Sequence, residues 1–165
     1  MSVKDVALEP IALIGGDDSR FSPFGTCFSL DPAGGRIPVP LGDSGQPTAG
    51  SSTLTIIIAP SVRHTKDLRR VERHPFSVQA FLPFGARPTV TIVAPPGEPP
   101  QHARQFTAFI VPPRHGVTYH VGTWHTGFMG LEGDEAVATF VHRLDDGSDT
   151  EFAQLPFNLH LAEQS

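Results

Sequence analysis

Eight histidines are spread over 165 residues, yet four of them (His102, His115, His120 and His125) fall in one short stretch, and a fifth, His74, sits in a polar motif. Imidazoles at neutral pH exchange protons or bind metal ions, so their placement bears directly on chemistry. The motif Glu72-Arg73-His74-Pro75-Phe76-Ser77-Val78-Gln79 puts two potential ligands at i and i+2, on one face of an extended backbone. Gln79 is a third contributor. The same residues also fit a surface turn, with Pro75 breaking a helix and Glu72 and Arg73 in solvent. The segment Gly116-Val117-Thr118-Tyr119-His120-Val121-Gly122-Thr123-Trp124-His125 holds two histidines, a tyrosine and the one tryptophan. In a regular strand His120 and His125 face opposite ways, but a turn or bulge at Gly122 allows both to face one cavity. An alternative reading makes Tyr119 and Trp124 core aromatics and the histidines their satisfied neighbours.

The elements that must position these groups are short strands. Sixteen glycines and seventeen prolines disfavour long helices, while 39% apolar residues suffice for a core. The β-branched run Leu54 to Ile58 has the pattern of a buried strand. Further strands are expected at Val78–Leu82, Thr89–Ala94, Gln105–Val111, Val117–Val121 and Ala136–Arg143, with Gly- and Pro-rich turns between them. Helical signals are confined to Lys66–Arg73 and a turn at Pro99–Arg104, and the Gly/Pro-rich region of about 31–52 reads as a long loop. The expectation is one all-β domain over 1–165, an antiparallel barrel or sandwich with few short helices.

Twelve basic against seventeen acidic residues give a net charge of −5, and the longest basic cluster is Arg69-Arg70. Nucleic acid is therefore excluded as a partner class. The single Cys27 offers no internal disulfide, and no apolar run is long enough for a signal core or a membrane span. A soluble cytoplasmic protein is expected. The apolar tail Phe152 to Leu161 is expected to pack on the body or on a second subunit, which makes a homodimer the expected assembly.

Short strands, a Glu/His motif and then a Gly-to-His motif resemble the cupins, whose first motif runs His-x-His-x4-Glu; here it reads Glu72-x-His74-x4-Gln79, followed by His120. More narrowly, the chain resembles the ureidoglycolate lyase family. The residues that carry the likeness are Glu72-Arg73-His74-Pro75, Gln79-Ala80-Phe81, Gly116-Val117-x-Tyr119-His120 and Trp124-His125, with Phe21-Ser22-Pro23-Phe24-Gly25 and Arg104-Gln105-Phe106 beside them. The resemblance implies a cupin-like barrel, or double-stranded β-helix, that eliminates urea from ureidoglycolate to give glyoxylate in purine (allantoin) degradation. His120 and His125 would then be acid and base in either order, with His74 beside them. Glu72, Arg73, Gln79, Tyr119 and Trp124 would contact the substrate, and its carboxylate would fall to Arg73, Arg104 or Arg143.

The cupin likeness also implies a divalent metal site, for which Glu72, His74, Gln79 and His120 occupy the corresponding positions, although glutamine in place of glutamate removes one negative charge. Such an ion is an option rather than a requirement of the chemistry. Three departures from the family pattern stand out: Thr126 and Gly127 follow Trp124-His125 where a histidine and proline are common, His142 precedes Arg143 where an aspartate is common, and Ile56-Ile57-Ile58 lacks a familiar arginine. A metal-dependent cupin isomerase or oxygenase, and a non-catalytic binder of a small acid, are the competing readings.

Overall fold

The structure is a computed structural model, and it describes residues 2–16, 18–31, 35–41 and 49–163. Two antiparallel-rich sheets face each other, and their strands interleave along the chain. One sheet has the order β3 (Gly25–Ser29), β9 (His115–Tyr119), β6 (Gln79–Pro83), β12 (Glu135–Arg143) and β4 (Ser51–Ala59). The other runs β13 (Glu151–Gln154), β5 (Arg70–Arg73), β10 (Trp124–His125), β7 (Thr89–Ala94), β8 (Thr107–Val111) and β2 (Ile11–Ala12), with β11 (Met129–Gly130) also on β7. β1 (Lys4–Leu8) and β14 (Phe157–Leu161) form a separate parallel pair. The fold is all-β and cupin-like, as expected. The one helical element described is a 3-10 turn, Ala103–Gln105.

Alternation along β7 shows how this sequence builds two cores. Val93 enters the core between the sheets with Phe81, Phe109, Val117, Tyr119 and Val137. Val90, Ile92 and Ala94 point the other way, onto Trp124, Phe157 and Leu159. With both faces covered, all six residues of β7 are buried, which is why the strand reads as a continuous apolar and β-branched run. The tail thus packs on the body: β13 pairs with β5, and Phe157 and Leu159 cover the outer face of the second sheet. Burying the larger of these side chains contributes roughly 1.5–3 kcal/mol each.

Two expectations are corrected. Lys66–Arg73 is not helical; Arg70–Arg73 is a strand because backbone pairing with β10 and β13 overrides a charged sequence. β4 is not a buried strand. Among the described residues it pairs only with β12, and Leu54, Ile56 and Ile58 on its outer face are 67–68% exposed. Of the 31–52 loop, 35–41 and 49–50 contain no strand, while 32–34 and 42–48 lie outside the described residues. Among the described residues no helix is long and apolar enough to cross a membrane.

Candidate active site

The two polar motifs meet at one end of the space between the sheets. Register determines which side chains enter it. Trp124 pairs with Ala94 and His125 with Val93. Ala94 belongs to the outer core and Val93 to the inner one, so Trp124 is turned outward and His125 inward. His125 in turn lies opposite Glu72, which brings Glu72 to the inner face, with His74 two residues further on the same side. Gly122, at φ +79, makes the intervening turn, and its N–H donates to the His74 carbonyl at 2.9 Å, tying the motifs together. From the opposite sheet come Gln79 and Tyr119, paired with each other across β6 and β9.

Glu72, His74 and His125 each present one ligand atom, all within 4.8 Å of one another. The imidazole rings are 5.8 Å apart between centroids. Backbone carbonyls define their tautomers: His74 Nδ1 lies 3.0 Å from Asp149 O and His125 Nδ1 lies 3.0 Å from Thr126 O. A carbonyl can only accept, so each Nδ1 carries the proton and each Nε2 offers a lone pair. Both Nε2 atoms are buried without a hydrogen-bond partner among the described residues, and so is Gln79 Oε1. Buried polar atoms are rarely left unpaired, and two neighbouring imidazole acceptors with a carboxylate beside them are suited to an electrophile.

Electrostatics favour the same state. Burial pushes His125 down to about 4. His74 is also lowered, first by burial and then by repulsion from His125, with its Asp149 bond and Glu72 opposing. Both rings are therefore neutral at pH 7, the form that binds metal. Burial also keeps the Tyr119 hydroxyl protonated, well above the usual tyrosine range, and that hydroxyl is hydrogen-bonded to Thr91.

The remaining predicted residues are dispersed. His120 is exposed, and its Nε2 is bound to Ser22 O at 2.9 Å. Tyr119 faces inward, so its neighbour must face outward; the Gly122 turn brings in His125 and not His120. Among the described residues the cluster of potential ligand atoms is Glu72, His74 and His125, and His120 is not part of it. Arg73 lies on the outer face, over Trp124 at 4.7 Å and paired with Glu151 at 2.6 Å. Trp124 Nε1 donates to Gly97 O at 3.1 Å, so Trp124 has a core role. Arg104 lines a different cavity, beside Phe24 and Pro96. Arg143 donates to Asp149 Oδ2 at 3.1 Å and Thr150 Oγ1 at 2.9 Å, close enough for its charge to lower His74 further.

Sequence reasoning missed Asp149. Burial alone would raise its carboxyl, but the Leu144 N–H, the Thr150 hydroxyl and Arg143 outweigh that and hold it below the usual range. Those bonds secure the turn whose carbonyl orients His74. No pattern in the chain signals this, because the link is made by a backbone oxygen. A cavity of about 180 Å³ opens onto Glu72 and His125 from outside. A larger cavity, about 600 Å³, lies elsewhere, among Val62, Leu68 and His160, and touches none of these groups.

Comparison with known proteins is decisive for kinship. Residues 39–161 match the family model described as ureidoglycolate lyase, which spans three-quarters of the chain and all of the site. The chain belongs to the ureidoglycolate lyase family. It is similar to the ureidoglycolate lyases of Chelativorans (38% identical over 104 residues, 59% of this chain and 58% of that one) and Azotobacter vinelandii (35% over 82 residues, 50% and 49%). That of Pseudomonas syringae pv. tomato is 36% identical over 90 residues, 54% and 52%. The chain thus spans about half the length of the relatives it matches.

Proposed function

We propose that this protein is a ureidoglycolate lyase, releasing urea and glyoxylate from ureidoglycolate in purine degradation, and that Glu72, His74, His125 and Gln79 form its reacting centre. The observation that carries the reading is the family match over a segment containing Glu72, His74 and His125, whose ligand atoms lie within 4.8 Å of one another. The same match weighs against an isomerase, an oxygenase or a non-catalytic binder.

The donor set, two neutral imidazoles with a carboxylate and an amide oxygen, suits a divalent metal. His74 Nε2, His125 Nε2, Glu72 and Gln79 Oε1 would hold it. Such an ion, when bound, supplies Lewis acidity at the substrate's hydroxyl oxygen. Because both histidines are held neutral with Nδ1 bonded to carbonyls, they serve better as lone-pair donors than as proton reservoirs. We assign proton movement to Glu72, whose side chain is the most open of the three, at 32% exposure. Its carboxylate takes the hydroxyl proton as the carbon-oxygen bond becomes a carbonyl and the carbon-nitrogen bond breaks. The same proton passes to the departing ureido nitrogen, so the reaction is balanced without net proton uptake. Gln79, whose amide nitrogen reaches Thr139 Oγ1 at 3.5 Å, keeps a buried amide oxygen that no described residue hydrogen-bonds. Tyr119 closes the inner wall with its ring 4.7 Å from that of His125.

We further propose a single cytoplasmic domain over 1–165 acting as a homodimer. The exposed row Leu54, Ile56 and Ile58 lies on an edge strand, the kind of surface a second copy covers. The decisive assay is product analysis with ureidoglycolate. Equal amounts of urea and glyoxylate support a lyase. Ammonia in place of urea indicates hydrolysis, and no glyoxylate with any divalent ion removes the reading.

A further inference from the structure

The small cavity beside Glu72 and His125 contains a cation with no carboxylate partner among the described residues. Arg70 precedes Glu72 by two residues on β5, so both side chains leave the same face. Phe152 stands opposite Glu72 in the β5–β13 ladder, and the Arg70 guanidinium carbon lies 3.9 Å from the centre of its ring. Arg70, Glu72, His125, Gly127 and Phe152 together line the cavity. The arginines expected to grip a carboxylate are otherwise committed: Arg73 is bound to Glu151 at 2.6 Å and Arg143 to Asp149 at 3.1 Å. Arg104 lines another cavity. The neighbouring Arg69 is bound to Asp67 at 2.6 Å. Among the described residues Arg70 makes no ion pair.

We propose that Arg70, stacked on Phe152, is the anchor for the carboxylate of a small α-hydroxy acid at the mouth of the site. A guanidinium packed over an aromatic ring keeps its in-plane N–H donors available, and those donors match a carboxylate in bidentate fashion. The aromatic platform reduces the freedom the side chain must lose on binding. Gly127 leaves the entrance clear, since a Cβ built there meets nothing within 4 Å. An acid held by Arg70 directs its hydroxyl carbon inward, toward Glu72 and His125. Arg70 thus takes over the role of the arginine that Ile56-Ile57-Ile58 lacks.

This assignment rests on the lyase reading for the identity of the substrate, but its test does not require turnover. Glycolate and its neutral amide, glycolamide, are titrated by NMR into the intact protein and into Arg70→Ala, Arg70→Lys, Phe152→Leu and Arg143→Ala, each first shown to fold by its melting profile. The expected result is glycolate binding that falls tenfold or more in Arg70→Ala and less in Arg70→Lys and Phe152→Leu, with glycolamide binding the same throughout. With ureidoglycolate, Arg70→Ala raises KM more than it lowers kcat. Unchanged glycolate affinity in Arg70→Ala, an equal loss for glycolamide, no binding to the intact protein, or a larger loss in Arg143→Ala overturns the assignment. Normal glycolate recognition in a protein that makes no glyoxylate overturns the lyase reading and leaves the anchor standing.

Discussion

Replacing His125 by glutamine, in the presence of a chelator, should flatten the acid limb of the protein's stability profile. The folded protein holds His125 near 4 against an ordinary 6.5 because the ring is buried. Its folded value is depressed, so as pH falls below 6.5 the unfolded chain takes up a proton that the folded state refuses, and stability is lost. Above 6.5 the group contributes almost nothing to the pH dependence. At pH 4.5 the loss from this one ring is about 2–3 kcal/mol, which corresponds to a melting temperature roughly 5–10 °C lower than a non-titrating side chain would give. Urea melts of the intact protein and His125→Gln at half-unit steps from pH 4.5 to 8 measure the difference directly. The two curves should run parallel above pH 7 and diverge by about 2–3 kcal/mol at pH 4.5, the intact protein falling faster. Parallel curves throughout would show that the ring accepts protons freely, and the argument for a neutral lone pair at Nε2 would fail.

Four further outcomes follow from the geometry. Chelation should abolish glyoxylate release, and addition of a divalent ion should restore it, as judged by a coupled glyoxylate assay. Asp149→Ala loosens the turn that orients His74 and should weaken metal affinity by roughly 10–100-fold in equilibrium dialysis, as loss of a ligand's supporting partner does. His120→Gln should change kcat less than fivefold, because that ring is bonded to Ser22 on the outer side; a loss near 100-fold, the usual cost of a missing acid or base, would return it to the mechanism. Ile56→Lys on the exposed face of β4 should convert a dimer to a monomer in light scattering, with turnover retained per chain if the sites are complete in each copy.

Much of the scaffold was legible because its signals are local. β7 coincides with the expected Thr89–Ala94, and β6, β8, β9 and β12 lie within two residues of expectation, each being a β-branched or apolar run between turn residues. β5 was not legible. Its sequence Arg70-Val71-Glu72-Arg73 has one apolar residue, and only pairing with β10 and β13 makes it a strand. The exposed ladder on β4 misled for the converse reason: apolar alternation looks the same whether a sheet covers it or not. In the site, Glu72 and His74 could be paired from their spacing alone, whereas the choice between His120 and His125 required the register at Tyr119. Gly122 signalled that a turn was possible without specifying which ring it would bring inward. Arg70 carried a signal that was passed over, since it lies at the same two-residue spacing from Glu72 as His74 does.

The central claim is that Glu72, His74 and His125 constitute one reacting centre for ureidoglycolate. Its most direct test is the rate of glyoxylate and urea formation by metal-replete intact protein beside Glu72→Gln, His74→Ala and His125→Ala, with metal content measured on each sample. Expected are equimolar products from the intact protein, a fall of roughly 100-fold or more in each variant, and reduced metal content in the two histidine variants. Turnover that survives in His74→Ala and His125→Ala would contradict it.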